Sequence, residues 1–270
     1  MQGIGRLAVI GGGRMGEAIV AGLVASGALE PGAIVVVEPV PERRDALSSA
    51  HGVAAVHKAE DALSCATTIL LAVKPQVIDE VVDSLAPLVA PDSLVVSIAV
   101  GVSCARLESR LPAGTAVVRV MPNTPALVGA AMSVVSGGSE ATPEQVEAVR
   151  ELFGAIGTAI VIPESQQNVA AAISGSGPAY VALFVDALAR SGVRHGLSRE
   201  VAERLAVETV AGTAEMLSQT QQHPEQLVDG VSSPGGTTIA AVEALEAGGF
   251  RASVNAAVSA AVARARELEG

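Results

Sequence analysis

Four apolar residues, Leu7-Ala8-Val9-Ile10, run directly into Gly11-Gly12-Gly13-Arg14-Met15-Gly16 and then into an amphipathic stretch from Glu17 to Ser26. A strand that ends in Gly-x-Gly-x-x-Gly and continues as a helix has few destinations, because each glycine meets a separate steric demand. One makes the tight turn, one lets the backbone approach a pyrophosphate, and one lets the helix pack closely on the strand. The helix start adds unpaired N–H groups and a partial positive charge for phosphate. The segment therefore predicts the first βα unit of a dinucleotide-binding domain, with Gly11, Gly13, Arg14, Met15 and Gly16 against the nucleotide.

The pattern then repeats. Ile34-Val37, Ile69-Val73, Leu94-Ile98 and Ala116-Val120 are short runs rich in Val, Ile and Leu, as expected of parallel strands buried on both faces. Glu42-Ala50, Val77-Leu88 and Cys104-Leu111 fit the crossover helices between them. Met132-Val135 and Ala159-Ile162, around a helix near Pro143-Phe153, extend the sheet. The expectation for residues 1–162 is an α/β Rossmann domain with a doubly wound, mostly parallel sheet. After Pro163 the two-residue period disappears and Ala-rich helical patterns take over at Gln166-Ser191, Ser198-Gln219, Pro234-Ala247 and Phe250-Leu268. This predicts an all-helical domain over residues 163–270. Its helices carry too few charges to be solvated on every side, so a face should be buried against another subunit.

Composition narrows the function classes. Half the chain is apolar, yet it holds one Tyr, three Phe and no Trp, so packing must proceed through small aliphatic contacts. A formal charge of -11 speaks against nucleic acid or an anionic membrane surface and leaves a small molecule as the expected partner. Cys65 and Cys104 lie far apart without metal-type spacing, so neither disulfide nor metal is expected. The first strand opens at Leu7, which leaves no room for a charged n-region and a signal h-region. The apolar stretch Val169-Leu188 is interrupted by Ser174-Gly175-Ser176-Gly177-Pro178, a poor membrane span. A cytoplasmic location is expected.

Several further residues carry chemistry. Glu38 lies about twenty residues past Gly16 at the end of the second strand, where an acidic side chain bonds the adenosine ribose hydroxyls of NAD. Arg43 and Arg44 follow and are placed to neutralise a 2'-phosphate, so the sequence leaves NADH and NADPH level. Ala72-Val73-Lys74-Pro75 ends a strand at the carboxyl edge of the sheet, where ligands bind. Lys74 is one of only two lysines, with Lys58, and is read either as a group beside the nucleotide or as a strand-end lysine reaching water. Ala99 follows the next strand. Met121-Pro122-Asn123-Thr124-Pro125 follows the one after, with Met121 as an apolar shelf and Asn123 offering donor and acceptor to a nicotinamide-sized ligand, or simply as a rigid turn. Val231-Ser232-Ser233-Pro234-Gly235-Gly236-Thr237-Thr238 opens a predicted helix with Pro near its first turn. Its N–H groups and hydroxyls suit a carboxylate, beyond what capping alone needs.

Taken together, Leu70-Leu71-Ala72-Val73-Lys74-Pro75-Gln76, Met121-Pro122-Asn123-Thr124-Pro125, Ser174-Gly175-Ser176-Gly177-Pro178-Ala179-Tyr180 and Val231-Ser232-Ser233-Pro234-Gly235-Gly236-Thr237-Thr238-Ile239 resemble the pyrroline-5-carboxylate reductases. His223-Pro224 and Leu245-Glu246-Ala247-Gly248-Gly249-Phe250-Arg251 fit as well. The resemblance implies reduction of pyrroline-5-carboxylate to proline with NADPH or NADH, and a helical domain interlocked with its twin as a dimer, often in a ring of dimers, a decamer. It also implies a substrate pocket at the dimer interface. By the same resemblance Val231, Ser232, Ser233, Gly235, Gly236, Thr237 and Thr238 hold the substrate carboxylate, and the Thr238 hydroxyl meets the ring nitrogen. Lys74 joins Thr238 as a catalytic candidate, and Glu164 matches a position that contacts the nucleotide, with helix-start capping as its alternative. The chain departs from the family at Glu215, where lysine is common before methionine, and after Glu38, where members that use NADPH often have serine or asparagine.

Two other readings stand beside this one. The β-hydroxyacid dehydrogenases and ketopantoate reductases share the plan but place a catalytic lysine in the second domain, and no lysine follows Lys74 here. A non-catalytic dinucleotide sensor would have no use for the hydroxyls of Ser232 to Thr238.

Overall fold

The computed structural model describes residues 3–269. It begins with the strand and helix that the glycine loop demands, β1 (Leu7–Ile10) and α1 (Arg14–Ala25). There follow β2 (Ile34–Val37), α2 (Pro41–His51), β3 (Ala54–Val56), α3 (Ala59–Leu63), β4 (Thr68–Leu71), α4 (Ile78–Leu85), β5 (Leu94–Ser97) and α5 (Cys104–Glu108). The sheet is completed by β6 (Ala116–Met121), β7 (Ala131–Gly137), α6 (Pro143–Gly154) and β8 (Gly157–Val161). Its strand order is β3-β2-β1-β4-β5-β6-β7-β8. All pairs are parallel except β6 with β7. The first six positions have the order of the dinucleotide-binding fold, with the reversal of winding between β1 and β4.

Alternation along each strand divides the core in two. Leu7, Val9, Val36, Leu70, Val96 and Val118 join one buried cluster with α1 and α6. Ala8, Ile10, Val35, Ile69, Leu71, Val95 and Val117 join the other with α4 and α5. Burial on both faces is why the strands read as unbroken apolar runs. The short edge strand β3 and the helix α3 were not expected from the sequence. β3 is three residues long and only partly covered, too short to show a period. β4 also ends earlier than expected, so Ala72, Val73 and Lys74 lie beyond the strand, in the loop before a turn at Pro75–Val77.

The later helices are α7 (Gln167–Ala170), α8 (Gly177–Arg194), α9 (Arg199–Thr220), α10 (Pro224–Val231), α11 (Thr237–Ala247) and α12 (Phe250–Glu269). Between α7 and α8 the chain takes a wider π turn at Ala171–Gly175. The run Ser174 to Pro178 thus alters the helix without ending it. By length and composition Glu164–Arg194 meets the requirement for a membrane span, at a mean hydropathy of 1.3, contrary to expectation. The helix expected from Pro234 instead starts at Thr237, because Ser233 to Gly236 form a turn closed by Gly236 N–H to the Ser233 carbonyl at 2.9 Å. α10 was also not expected; His223 caps it, accepting the Glu225 N–H at Nδ1 and donating its own backbone N–H to Gln226 Oε1 at 3.2 Å.

The chain divides into two compact units. One runs to Ser176 and takes in the chain from Ala261 on; the other is Gly177–Ala260. The second has a small core in which Ala189, Ala202 and Ala206 are buried, with Val185 and Val193 against them. Phe184 and Phe250 contact at a ring separation of 6.0 Å. Arg251 bonds Glu225 and Glu246, joining α10, α11 and α12 at the surface. Leu183 is 71% exposed and Leu205 54%. Apolar surface on this scale calls for a covering partner.

Candidate active site

The glycine loop is fixed by contacts that admit no side chain. Gly11 has φ +105°, and a Cβ there would stand 2.8 Å from the Ala72 carbonyl oxygen. At Gly16 it would stand 2.2 Å from the Gly11 carbonyl oxygen. Gly13 differs: nothing lies within 4 Å of where its Cβ would be. Gly13 caps α1 in extended conformation with no side chain bonded to the helix N-terminus, so these N–H groups face open space. That space is one end of a cavity of about 380 Å³.

Gly13, Arg14 and Met15 line this cavity from the first turn, and Ala72, Val73, Lys74 and Pro75 from the loop after β4. Ile98, Ala99 and Val100 come from the loop after β5, and Met121 and Pro122 from the end of β6. The sequence had singled out most of this lining. It named Pro122 only as part of a motif and not as a contact, and it missed Ile98 and Val100, apolar residues whose only signal was their place at or just past a strand end. Lys74 is exposed at the rim.

Three other expected residues lie elsewhere. Glu38 is 6% exposed beside the glycine loop; its Oε2 accepts the Gly12 N–H at 3.1 Å and its Oε1 the Val40 N–H at 3.0 Å. Arg43 donates to the Gly12 carbonyl and lies 3.4 Å from Glu17 and 3.9 Å from Glu38. Arg44 donates to the backbone carbonyls of Glu38 and Pro39. Asn123 calls for correction. Pro178 has no N–H for the Ser174 carbonyl four residues back, and Asn123 Nδ2 donates to that carbonyl at 2.9 Å. Asn123 Oδ1 accepts the Met132 N–H at 2.9 Å, so the amide is turned to the chain and lies outside the cavity lining.

Glu164 follows its capping alternative, though on a helix remote in sequence. Its Oε1 accepts the Cys104 N–H at the start of α5, at 2.8 Å, and pairs with Arg119 at 3.2 Å. Burial, and then the Glu164 carboxylate, push the Cys104 thiol up to about 12. Glu164, Arg119, Arg106, Ser103 and Asn168 line a separate polar depression of about 420 Å³.

In the second unit, Val231 ends α10 and Ser232 follows as its cap. Ser233, Pro234 and Gly235 are exposed, and Gly235 has φ +67°. Gly236 is the cap of α11 without a side-chain bond, and Thr237 and Thr238 are its first two residues. The Ser232 hydroxyl oxygen is buried without a hydrogen-bond partner. An orphaned hydroxyl beside an open helix start of eleven residues is the chemistry of an anion cradle.

A Rossmann sheet, a glycine loop that leaves a helix N-terminus open, and a cavity along the strand ends define a dinucleotide-binding protein of the oxidoreductase type. The family model described as NADP oxidoreductase coenzyme F420-dependent matches residues 6–101, and that for pyrroline-5-carboxylate reductase dimerisation matches residues 164–268. The chain belongs to the pyrroline-5-carboxylate reductase family. It is 45% identical to the pyrroline-5-carboxylate reductase of Synechocystis sp. over 97% of this chain and 98% of that one. The structure of the Coxiella burnetii pyrroline-5-carboxylate reductase matches at a TM-score of 0.94 and 36% identity, covering 99% of each chain. A Plasmodium falciparum pyrroline carboxylate reductase with NADP bound matches at 0.88 and 30% identity over the whole of both chains.

Proposed function

We propose that this chain reduces L-1-pyrroline-5-carboxylate to L-proline with NADPH or NADH, the last step in making that amino acid. The observation that carries this is kinship over nearly the full chain with proteins of that name, a span that includes both the glycine loop and Val231 to Thr238. The open space at Gly13 and the uncapped start of α1 suit a pyrophosphate, with Arg14 adding charge. Met15, Ala72 to Pro75, Ala99 and Met121 hold the rest of the dinucleotide, which supplies a hydride when bound.

The substrate is a five-membered cyclic imine, and its protonated form is already an electrophile. Its imine carbon takes the hydride, the C=N electron pair settles on nitrogen, and the amine product keeps the proton it brought. Orientation therefore matters more than a strong acid. Ser232, Ser233, Gly235, Gly236 and Thr237 hold the carboxylate, and the Thr238 hydroxyl bonds the ring nitrogen. A threonine hydroxyl is too weak an acid to work alone, so its part is to orient the iminium or relay from water. Lys74, at the cavity rim, balances cofactor charge.

The exposed apolar face of α8 and α9 is covered by a second copy in a cytoplasmic dimer, and a decamer of five dimers is the larger assembly we propose. This cover, in place of lipid, accounts for the apolar helix Glu164–Arg194. Purified protein mixed with pyrroline-5-carboxylate and either cofactor should show loss of reduced-nicotinamide absorbance and stoichiometric proline. No oxidation of either cofactor would favour a sensor.

A further inference from the structure

Resting on the reading that a reduced nicotinamide dinucleotide is used, we propose that Glu38 makes this chain select NADH and reject the 2'-phosphate of NADPH. Glu38 stands just beyond β2 at the carboxyl edge of the sheet, where the adenosine ribose of a dinucleotide is bound in this fold. Its carboxylate is held from two sides, by the N–H of Gly12 in the glycine loop and by that of Val40. At 6% exposure, with both oxygens anchored, it has no free rotation away from the site.

Each carboxylate oxygen keeps a further lone pair, so the pair of ribose hydroxyls in NADH can both donate to it. A 2'-phosphate offers acceptor oxygens only and brings about -1.5 to -2 of charge against a fixed anion. The compensating cations are already engaged. Arg43 is shared between the Gly12 carbonyl, Glu17 and Glu38, and so answers two carboxylates. Arg44 is turned to the backbone carbonyls of Glu38 and Pro39 at 2.8 and 2.9 Å. Two carboxylates, Glu38 and Glu17, are thus matched by two guanidiniums with no positive charge left over for a phosphate, and freeing Arg43 for one would leave Glu38 and Glu17 without it.

Calorimetric titration of the purified protein with NADH and with NADPH tests this independently of turnover. NADH should bind at least about tenfold more tightly, a difference of about 1.4 kcal/mol. In Glu38→Gln, which keeps the size and one acceptor, the NADH to NADPH affinity ratio should fall by about tenfold or more. Glu38→Ser should move it further, with kcat/KM ratios following. Equal or tighter binding of NADPH by the unaltered protein overturns the proposal, as does an unchanged ratio in a Glu38→Gln variant that melts normally. Selective binding of NADH without any reduction of the imine would sink the proposed reaction and leave the assignment of Glu38 standing.

Discussion

Cys104 and Cys65 are the two thiols of the chain, and their surroundings set them apart. Cys104 is 1% exposed on α5, whereas Cys65 is exposed. Burial, with the Glu164 carboxylate beside it, pushes the Cys104 thiol up to about 12 and so keeps it protonated and unreactive at pH 8. Maleimide should label one thiol per chain in the native protein and both in denaturant. The raised value also sets an alkaline limit. In the unfolded chain this thiol ionises near its ordinary 9.0, so its contribution to stability is complete below that and is lost as pH climbs toward 12. Cys104→Ala should therefore flatten the fall of the melting temperature between pH 9 and 11. At Thr238 the expectation is kinetic. Thr238→Ala should cost roughly 1 to 3 kcal/mol in kcat/KM, the value of one hydrogen bond to a charged group. Unchanged kinetics in a folded variant would remove Thr238 from the reaction.

Between elements, glycine positions separate close packing from simple turning. Gly157 opens β8 at φ +150°, and a Cβ there would stand 2.2 Å from the Ala131 carbonyl oxygen on β7. Gly157→Ala should destabilise by at least about 1 to 3 kcal/mol, the usual cost of a strained backbone position, before the clash is counted. Gly154, the last residue of α6, has nothing within 4 Å of its Cβ position. Gly154→Ala should instead stabilise by about 0.4 to 1 kcal/mol. Urea denaturation of the pair would show opposite signs. The same packing logic explains where element boundaries departed from the sequence pattern. β4 gives up Ala72 and Val73 to the cavity, and α11 yields Pro234 to a turn that Gly235 makes possible at φ +67°.

At the scale of the molecule, the unit Gly177–Ala260 has few buried side chains of its own. Its exposed Leu183 and Leu205 are explained if a second copy covers them. Leu183→Asp would place a charge in that apolar face and should shift the protein to monomer by light scattering, with activity falling as dimer is lost. A dimer that persists at low micromolar concentration would put Leu183 outside the interface.

The sequence by itself determined seven of the eight strands, the glycine loop and most of the cavity lining, because these depend on local constraints, whereas the short edge strand β3 left no readable pattern. Gly11, Gly13 and Gly16 answer steric demands within a few residues, and Ala72 to Pro75, Ala99 and Met121 follow strands whose apolar runs are plain to read. Only the tertiary structure decided which polar side chains are already committed. Asn123 reads as a ligand contact until a carbonyl left over by Pro178 claims its amide, and Glu164 caps a helix some sixty residues before it in the chain. Glu38 stayed ambiguous for the same reason. Its charge was visible in the sequence, but its anchoring to Gly12 and Val40, and the engagement of Arg43 and Arg44 elsewhere, arise from contacts that no local pattern encodes.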